Sequence, residues 1–256
     1  MDSEKLTPKE LRRYSRHIMI SELGIEGQEK IKKSSVLVVG AGGLGCPALQ
    51  YLTSAGVGEI GIVEFDTVEE INLQNQILYG YSDIGKLKSI LIKERLKNLN
   101  DLVSIEIFNL KLIVKNAIDI LSGFDLIIDS TGNYATNYLI NDACVILNKP
   151  MVYGSVNNNK GMVSVFNYCG GPTLRCLKPY YLNNGQIATE NNASLGVVSG
   201  ITGTYIATEA IKILAGFGTV LSGNMLYFNI LTNDIYKTTI NNIPENHNIK
   251  ELQSNY

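Results

Sequence analysis

Apolar residues along this chain fall into short unbroken runs that alternate with longer, helically spaced stretches. "SSVLVVG" (34–40), "EIGIVE" (59–64) and "FDLIID" (124–129) are runs of β-branched and aliphatic residues with no polar interruption, which is how strands buried on both faces read. Between them, a segment from about Cys46 to Ala55, "GKLKSILIKERLKNLN" (85–100), "VKNAIDILSG" (114–123) and "ATNYLINDACVILN" (135–148) space their apolar positions as helices do. "VSIEIFN" (103–109) alternates like a further strand. Strand and helix in regular succession predict an α/β fold, a Rossmann-like, doubly wound, mostly parallel sheet.

After Pro150 the pattern changes. "MVYGSV" and "GMVSVFNY" are separated only by polar "NNNKG", too short for a crossover, so they predict antiparallel pairing at one edge of the sheet. A loop-like stretch over 170–192 precedes an apolar helix, "TGTYIATEAIKILAGFG", and two last strands, "NMLYFNI" and "DIYKTTI". The sheet is therefore expected to be extended by antiparallel strands in the C-terminal half. Residues 244–256 read as a mobile tail. At the other end, "LTPKELRRYSRHIMI" opens with Thr7, Pro8 and Glu10, a capping-box start with proline in the first turn, and predicts one helix carrying Arg12, Arg13 and Arg16. Spacing alone makes those arginines a solvated basic face.

Composition narrows the function classes. With 45% hydrophobic and 18% charged residues the chain is globular rather than disordered, and a net charge of -2 offers no electrostatic footprint for nucleic acid. Residues 1–16 are too densely charged for a signal peptide, and no window is apolar enough for a membrane helix. A cytoplasmic location is expected. Cys46, Cys144, Cys169 and Cys176 form no Cys-x-x-Cys pair and only two histidines, His17 and His247, are present, so reduced thiols and no zinc are expected.

"VLVVGAGGLG" places Gly40, Gly42 and Gly45 directly after a strand and at the opening of a helix, the context a G-x-G-x-x-G phosphate loop requires. Glu64 ends the next strand about 20 residues on, where an acid accepts from ribose hydroxyls. These features imply a nucleotide and leave open whether it is a dinucleotide for hydride transfer or ATP.

Four further stretches, "RYSRHIMI…GIEGQEK", "VVGAGGLGCPALQYLTSAGVG", "FDTVEEINLQNQILY…DIGKLKS" and "EAIKILAGFG", resemble the MoeB/ThiF/HesA-type adenylyltransferases, relatives of ubiquitin-activating enzymes, in order and spacing from about Leu11 to Thr239. The resemblance implies one nucleotide-binding domain over residues 1–243. It also implies ATP with Mg2+ as cofactor and, as partner, a small sulfur-carrier protein whose Gly-Gly tail is adenylated. It puts Gly43 beside the phosphates and Glu64, where many relatives have aspartate, on the ribose. Asn72 and Gln74 would lie along the nucleotide, Gly132 and Asn133 of "DSTGN" beside it, and Lys88 on the phosphates. Taken alone, Lys88 reads as a solvated helix charge. Arg16 matches an arginine that, in dimers of the family, reaches into the neighbouring subunit's site.

Two departures fall in the machinery itself. Asn75 stands where the family has a triphosphate-contacting arginine, and Gly132 where it has a magnesium-binding aspartate. Asp129 survives at the strand end; it reads first as a holder of local backbone hydrogen bonds and second as a metal acceptor through water. Cys176 alone remains of the family's zinc cysteines, the carrier-capturing cysteine has its place near Asn192, and Cys46 and Cys144 read as packing. Two functions follow: an adenylyltransferase working with Arg16, Lys88 and Asp129, or a catalytically impaired partner subunit, in a homodimer or heterodimer, that lends Arg16 to an active relative. A nicotinamide oxidoreductase is the third and least supported reading.

Overall fold

The computed structural model describes residues 5–177 and 193–256. Three helices, α1 (Pro8–Arg13), α2 (Ser15–Ile18) and α3 (Gly24–Lys33), lead into β1 (Ser35–Val39), followed by α4 (Gly45–Ala55), β2 (Glu59–Val63), α5 (Lys88–Leu99) and β3 (Ser104–Phe108). The second half-unit is α6 (Val114–Ser122), β4 (Leu126–Asp129), α7 (Tyr134–Leu147) and β5 (Met151–Asn157). Then come β6 (Lys160–Phe166), α8 (Leu174–Leu177), α9 (Gly196–Ala215), β7 (Asn224–Asn229) and β8 (Asp234–Thr239).

The strands of the described residues join one sheet in the order β3-β2-β1-β4-β5-β6-β7-β8. β3 to β5 are parallel neighbours, and β5 to β8 are antiparallel. The expected α/β fold is the one observed. Because side chains alternate across a strand, Val36 and Val38 of β1 face a core built with α3, α4, α5 and α9, while Leu37 and Val39 face a second core under α6 and α7. Unbroken apolar runs are the result of that two-sided burial. The chain runs outward from β1 through β2 to β3 and returns to place β4 on β1's other side, so a crevice opens between the carboxyl ends of β1 and β4.

Three expectations need correction. The β5–β6 hairpin, turning at Asn158 with φ +53°, is not at an edge, because β7 and β8 add beyond it and β8, exposed at every position, forms the edge. The single N-terminal helix breaks at Tyr14, which is buried against Gly56 and accepts a 2.9 Å hydrogen bond from Asn100 Nδ2; the start is as expected, with Thr7 N donating to Glu10 Oε2 at 2.7 Å. Residues 244–256 do not hang free: Leu252 and Tyr256 pack on the second core, and the Tyr256 hydroxyl donates to buried Asp142 Oδ2 at 2.8 Å, beside the Arg175–Asp142 ion pair. Leu252 and Tyr256 are isolated apolar residues among polar ones, so the sequence offered no periodicity from which to read that docking.

Candidate functional site

The crevice between β1 and β4 is a cleft of about 340 Å3, inside the range of small-molecule sites. Its floor is the turn after β1. Gly40 has φ +91°, a left-handed conformation that suits glycine, and a Cβ on Gly45 would lie 2.2 Å from the Gly40 carbonyl oxygen. The loop therefore turns tightly into α4, leaving its amides at a helix N-terminus, where anions are favoured. Ser130, just beyond β4, fastens the turn by donating from Oγ to the carbonyls of Val39 (2.9 Å) and Gly40 (2.6 Å).

Glu64 lines the cleft from the end of β2 and is buried. Its Oε2 accepts from Ala41 N at 2.9 Å, and its Oε1 accepts from Phe65 N at 2.8 Å and Asp66 N at 2.9 Å. The carboxylate thus ties the glycine loop to the next turn before any ligand arrives.

Lys88, the first residue of α5, is not on a solvated face: its side chain is only 4% exposed and lines the cleft. Its Nζ lies 3.7 Å from Asp66 Oδ2 and 6.0 Å from the centre of the Tyr79 ring. Asp66 is itself largely exposed, so water takes most of that pair's energy, and the ammonium remains available to an anion in the cleft. The sequence reading did not single out Lys111, Asp66 or Gln76, all of which line the same cleft. Gln76 adjoins Asn75 in "NLQNQ" but carries no signal of its own, and nothing in sequence signals Lys111.

Among the remaining candidates, Gly40, Gly42 and Asn133 line the cleft, and Asn133 also caps α7, accepting from Thr136 N at 3.0 Å. Asn75 lies against the loop, its Nδ2 3.2 Å from where a Cβ on Gly43 would sit. Gly132, exposed and with φ +61°, precedes Asn133. Gly45 sits behind the loop, and Asn72, Gln74 and Arg16 do not line this cleft; Arg16 is exposed on α2. The place of Asn192 lies outside the described residues.

Asp129 is fully buried beneath the cleft, with Oδ1 accepting from Thr131 N (3.1 Å) and Oγ1 (2.8 Å) and Oδ2 from Asn137 Nδ2 (2.6 Å). Burial raises its pKa to about 6, against the opposing effect of the Thr131 and Asn137 hydrogen bonds. Since the folded value exceeds the unfolded one, the protonated form favours folding. That contribution is complete below about pH 4 and is lost as pH rises through about 6. Wild type should therefore lose about 2 to 3 kcal/mol relative to Asp129→Asn between pH 4 and pH 7, measured by urea unfolding of both proteins across that range.

The cysteines divide in two. Burial pushes Cys46 up to about 12 and Cys144 well above the ordinary thiol range, and both are packed in the core. Cys169 is exposed. Cys176 is half-buried; burial would raise it, but donation from Ile243 N (3.4 Å) and Asn246 Nδ2 (3.6 Å) helps bring it lower on balance. Among the described residues no group of three or more His, Cys, Asp or Glu side chains is placed to hold a metal, and no helix is long and apolar enough to cross a membrane.

The chain is similar to known proteins. The profile described as the ThiF family matches residues 14–250. A sulfur carrier protein adenylyltransferase of Thermus thermophilus is 42% identical over 244 residues, covering 93% of this chain and 90% of that protein. A probable molybdopterin-synthase adenylyltransferase of Porphyra purpurea is 45% identical over 232 residues, 88% of this chain but 59% of that protein. The chain likewise spans about half, 54%, of the adenylyltransferase and sulfurtransferase MOCS3 of Aedes aegypti. In fold, the crystal structure of E. coli MccB with ATP superposes with a TM-score of 0.80 at 21% identity, covering 91% of this chain and 72% of that one.

Proposed function

We propose that this chain, which belongs to the ThiF family, is an ATP-dependent adenylyltransferase that activates the C-terminal carboxylate of a small Gly-Gly-ended sulfur-carrier protein. The observation that carries the reading is the meeting, in one cleft, of the glycine-loop amides, the buried ammonium of Lys88 and the acid Glu64 at the switch point of the sheet. The name of the Thermus thermophilus relative, a sulfur carrier protein adenylyltransferase 42% identical over 244 residues, supports the substrate class.

ATP fits these residues. The cleft offers cations and backbone donors for phosphates, apolar walls at Val39, Val63 and Leu112 for a base, and a buried amide of Gln76 whose oxygen lacks any partner. In the reaction, a carboxylate oxygen of the carrier attacks the α-phosphorus, the bond to the bridging oxygen breaks, and pyrophosphate leaves with that electron pair. An anion attacks an anion, so the barrier is mainly electrostatic. Lys88 meets that need from a site largely shielded from water, where a charge acts more strongly than at the surface. The N-terminal ends of α4, which follows the glycine loop, and of α5, which begins at Lys88, bring partial positive charge beside the cleft. Arg16, exposed and not among the residues lining its own cleft, is suited to serve the cleft of a second subunit in a dimer.

Mg2+ would rest chiefly on phosphate oxygens. Glu64 is engaged with three backbone N–H groups and Asp129 is enclosed by Thr131 and Asn137, so of these carboxylates only exposed Asp66, weakly paired with Lys88, is open to the ion. Titration calorimetry should therefore register weak ATP binding, little strengthened by Mg2+, and no binding of NAD. A preference for NAD would return the site to hydride-transfer chemistry.

A further inference from the structure

Arg16 rides on α2, a single turn of four residues whose cap residue, Tyr14, gives it no side-chain hydrogen bond, so the turn cannot hold its own place. Its place is set from outside. Two buried amides reach this segment from the core, Gln28 of α3 at 0% exposed and Asn100 after α5 at 1%. Gln28 Nε2 donates to Ala55 O at 2.7 Å, which leaves its Oε1, 3.0 Å from His17 Nδ1, to accept from a ring N–H. Asn100 Nδ2 holds the other side, donating to Thr53 O at 2.8 Å and to the Tyr14 hydroxyl at 2.9 Å. The Tyr14 and His17 rings stack on each other, 6.3 Å between centres and 21° apart in plane. Arg16 thus lies between two anchored aromatic residues, while its own side chain is exposed and makes no ion pair among the described residues.

Both donated bonds end on carbonyls in the last turn of α4, and capping that turn needs no more than a donor. The accepting end of Gln28 is different, because it calls for an N–H at position 17, beside the arginine. The location of the clamp matters as well. α4 begins behind the glycine loop at Gly45 and ends at Ala55, so its 11 residues set the anchor about 16 Å from the loop, farther than an arginine side chain reaches. An exposed guanidinium fixed there is aimed at an anion on another molecule. We propose that His17 and Gln28 are positioning residues, which fix α2 so that Arg16 enters the cleft of a second copy of this chain. This rests on the reading of Arg16 given above and adds the means by which it is aimed.

The test is carrier-dependent ATP–pyrophosphate exchange by the full chain, by His17→Phe, Gln28→Met and Arg16→Ala, and by His17→Phe combined with Arg16→Ala. His17→Phe, at a half-buried position, keeps a ring on Tyr14 and removes the N–H. It should lower the saturated rate by about tenfold, within the roughly 10²-fold that a displacement of about 1 Å can cost, and leave the half-saturating ATP concentration within about twofold. Gln28→Met should do the same. Arg16→Ala should cost about 10²-fold, and adding His17→Phe to it should cost nothing more. An unchanged rate in His17→Phe, a further loss in the Arg16→Ala background, or a loss of ATP affinity in place of rate would make His17 a structural residue and overturn the inference, leaving the role of Arg16 intact. Mixing Arg16→Ala with Lys88→Ala tests that role by itself: exchange should recover to about a quarter of wild type, since half of the dimers are mixed and one site in each is complete. No recovery would refute the action of Arg16 across subunits, and this inference with it.

Discussion

Replacing Lys88 with alanine is expected to lower carrier-dependent ATP–pyrophosphate exchange by about 10²- to 10³-fold, the usual consequence of deleting one preorganised electrostatic group from a shielded site. Lys88 is the cation that the fold encloses within the cleft wall, its side chain 4% exposed, whereas Lys111 stands at the exposed rim. Its removal does more than subtract a charge: Asp66, 3.7 Å from the ammonium, is left facing the triphosphate without its partner. Much of the loss should appear in the rate at saturating ATP, since the charge on the phosphates grows as pyrophosphate departs. Stability should change little, because Asp66 is already mostly in water and its pairing with Lys88 is a weak contribution. Exchange kinetics and thermal unfolding of the same preparation check both halves. A variant that unfolds early, with its rate loss following the unfolded fraction, would show Lys88 to be a structural group.

The second large effect runs the other way. Asn75→Arg combined with Gly132→Asp should raise the exchange rate by about 10³-fold, most of it from the arginine, since a well-placed arginine in phosphoryl transfer is worth at least that. Asn75 already lies against Gly43, and substituting it removes a buried oxygen that has no partner, so the longer side chain starts from the correct wall of the cleft. Gly132 is less accommodating. Its φ of +61° is left-handed, where an L residue is strained by roughly 1 to 2 kcal/mol, with aspartate among the better tolerated. The double variant should therefore melt lower while turning over faster. Single and double variants assayed side by side separate the two contributions. An unchanged rate would mean that the site is limited by some other residue.

Much of this could be read from the chain because the relevant physics is local. β1, β2 and β4 are apolar runs set by two-sided burial, and the strand–glycine–helix junction at Gly40 to Gly45 is a backbone requirement written in residue type. What could not be read depends on neighbours distant in sequence. Lys88 has the spacing of a surface lysine and is buried only because the segment after β2 folds back over it, with Lys88 N donating to Asp66 O at 3.0 Å. The break at Tyr14 is enforced by Gly56 and Asn100, far along the chain. Gln76 is conspicuous only once its oxygen is seen to lack a partner, which no pattern of residue types reveals. Asp129 is the converse case, for its preferred reading, a carboxylate held by local hydrogen bonds, matches its contacts with Thr131 and Asn137.

The substitutions at 75 and 132 also underlie the partner-subunit reading, in which this chain only lends Arg16 to an active relative. Retention of the loop, Glu64 and a buried Lys88 in one formed cleft argues for resident chemistry instead. ATP–pyrophosphate exchange by the purified chain, with a Gly-Gly-ended carrier protein present and then omitted, tests this most directly. The account predicts slow exchange that requires the carrier and no second family member; exchange that is absent from the chain alone and emerges only on adding such a member would contradict it.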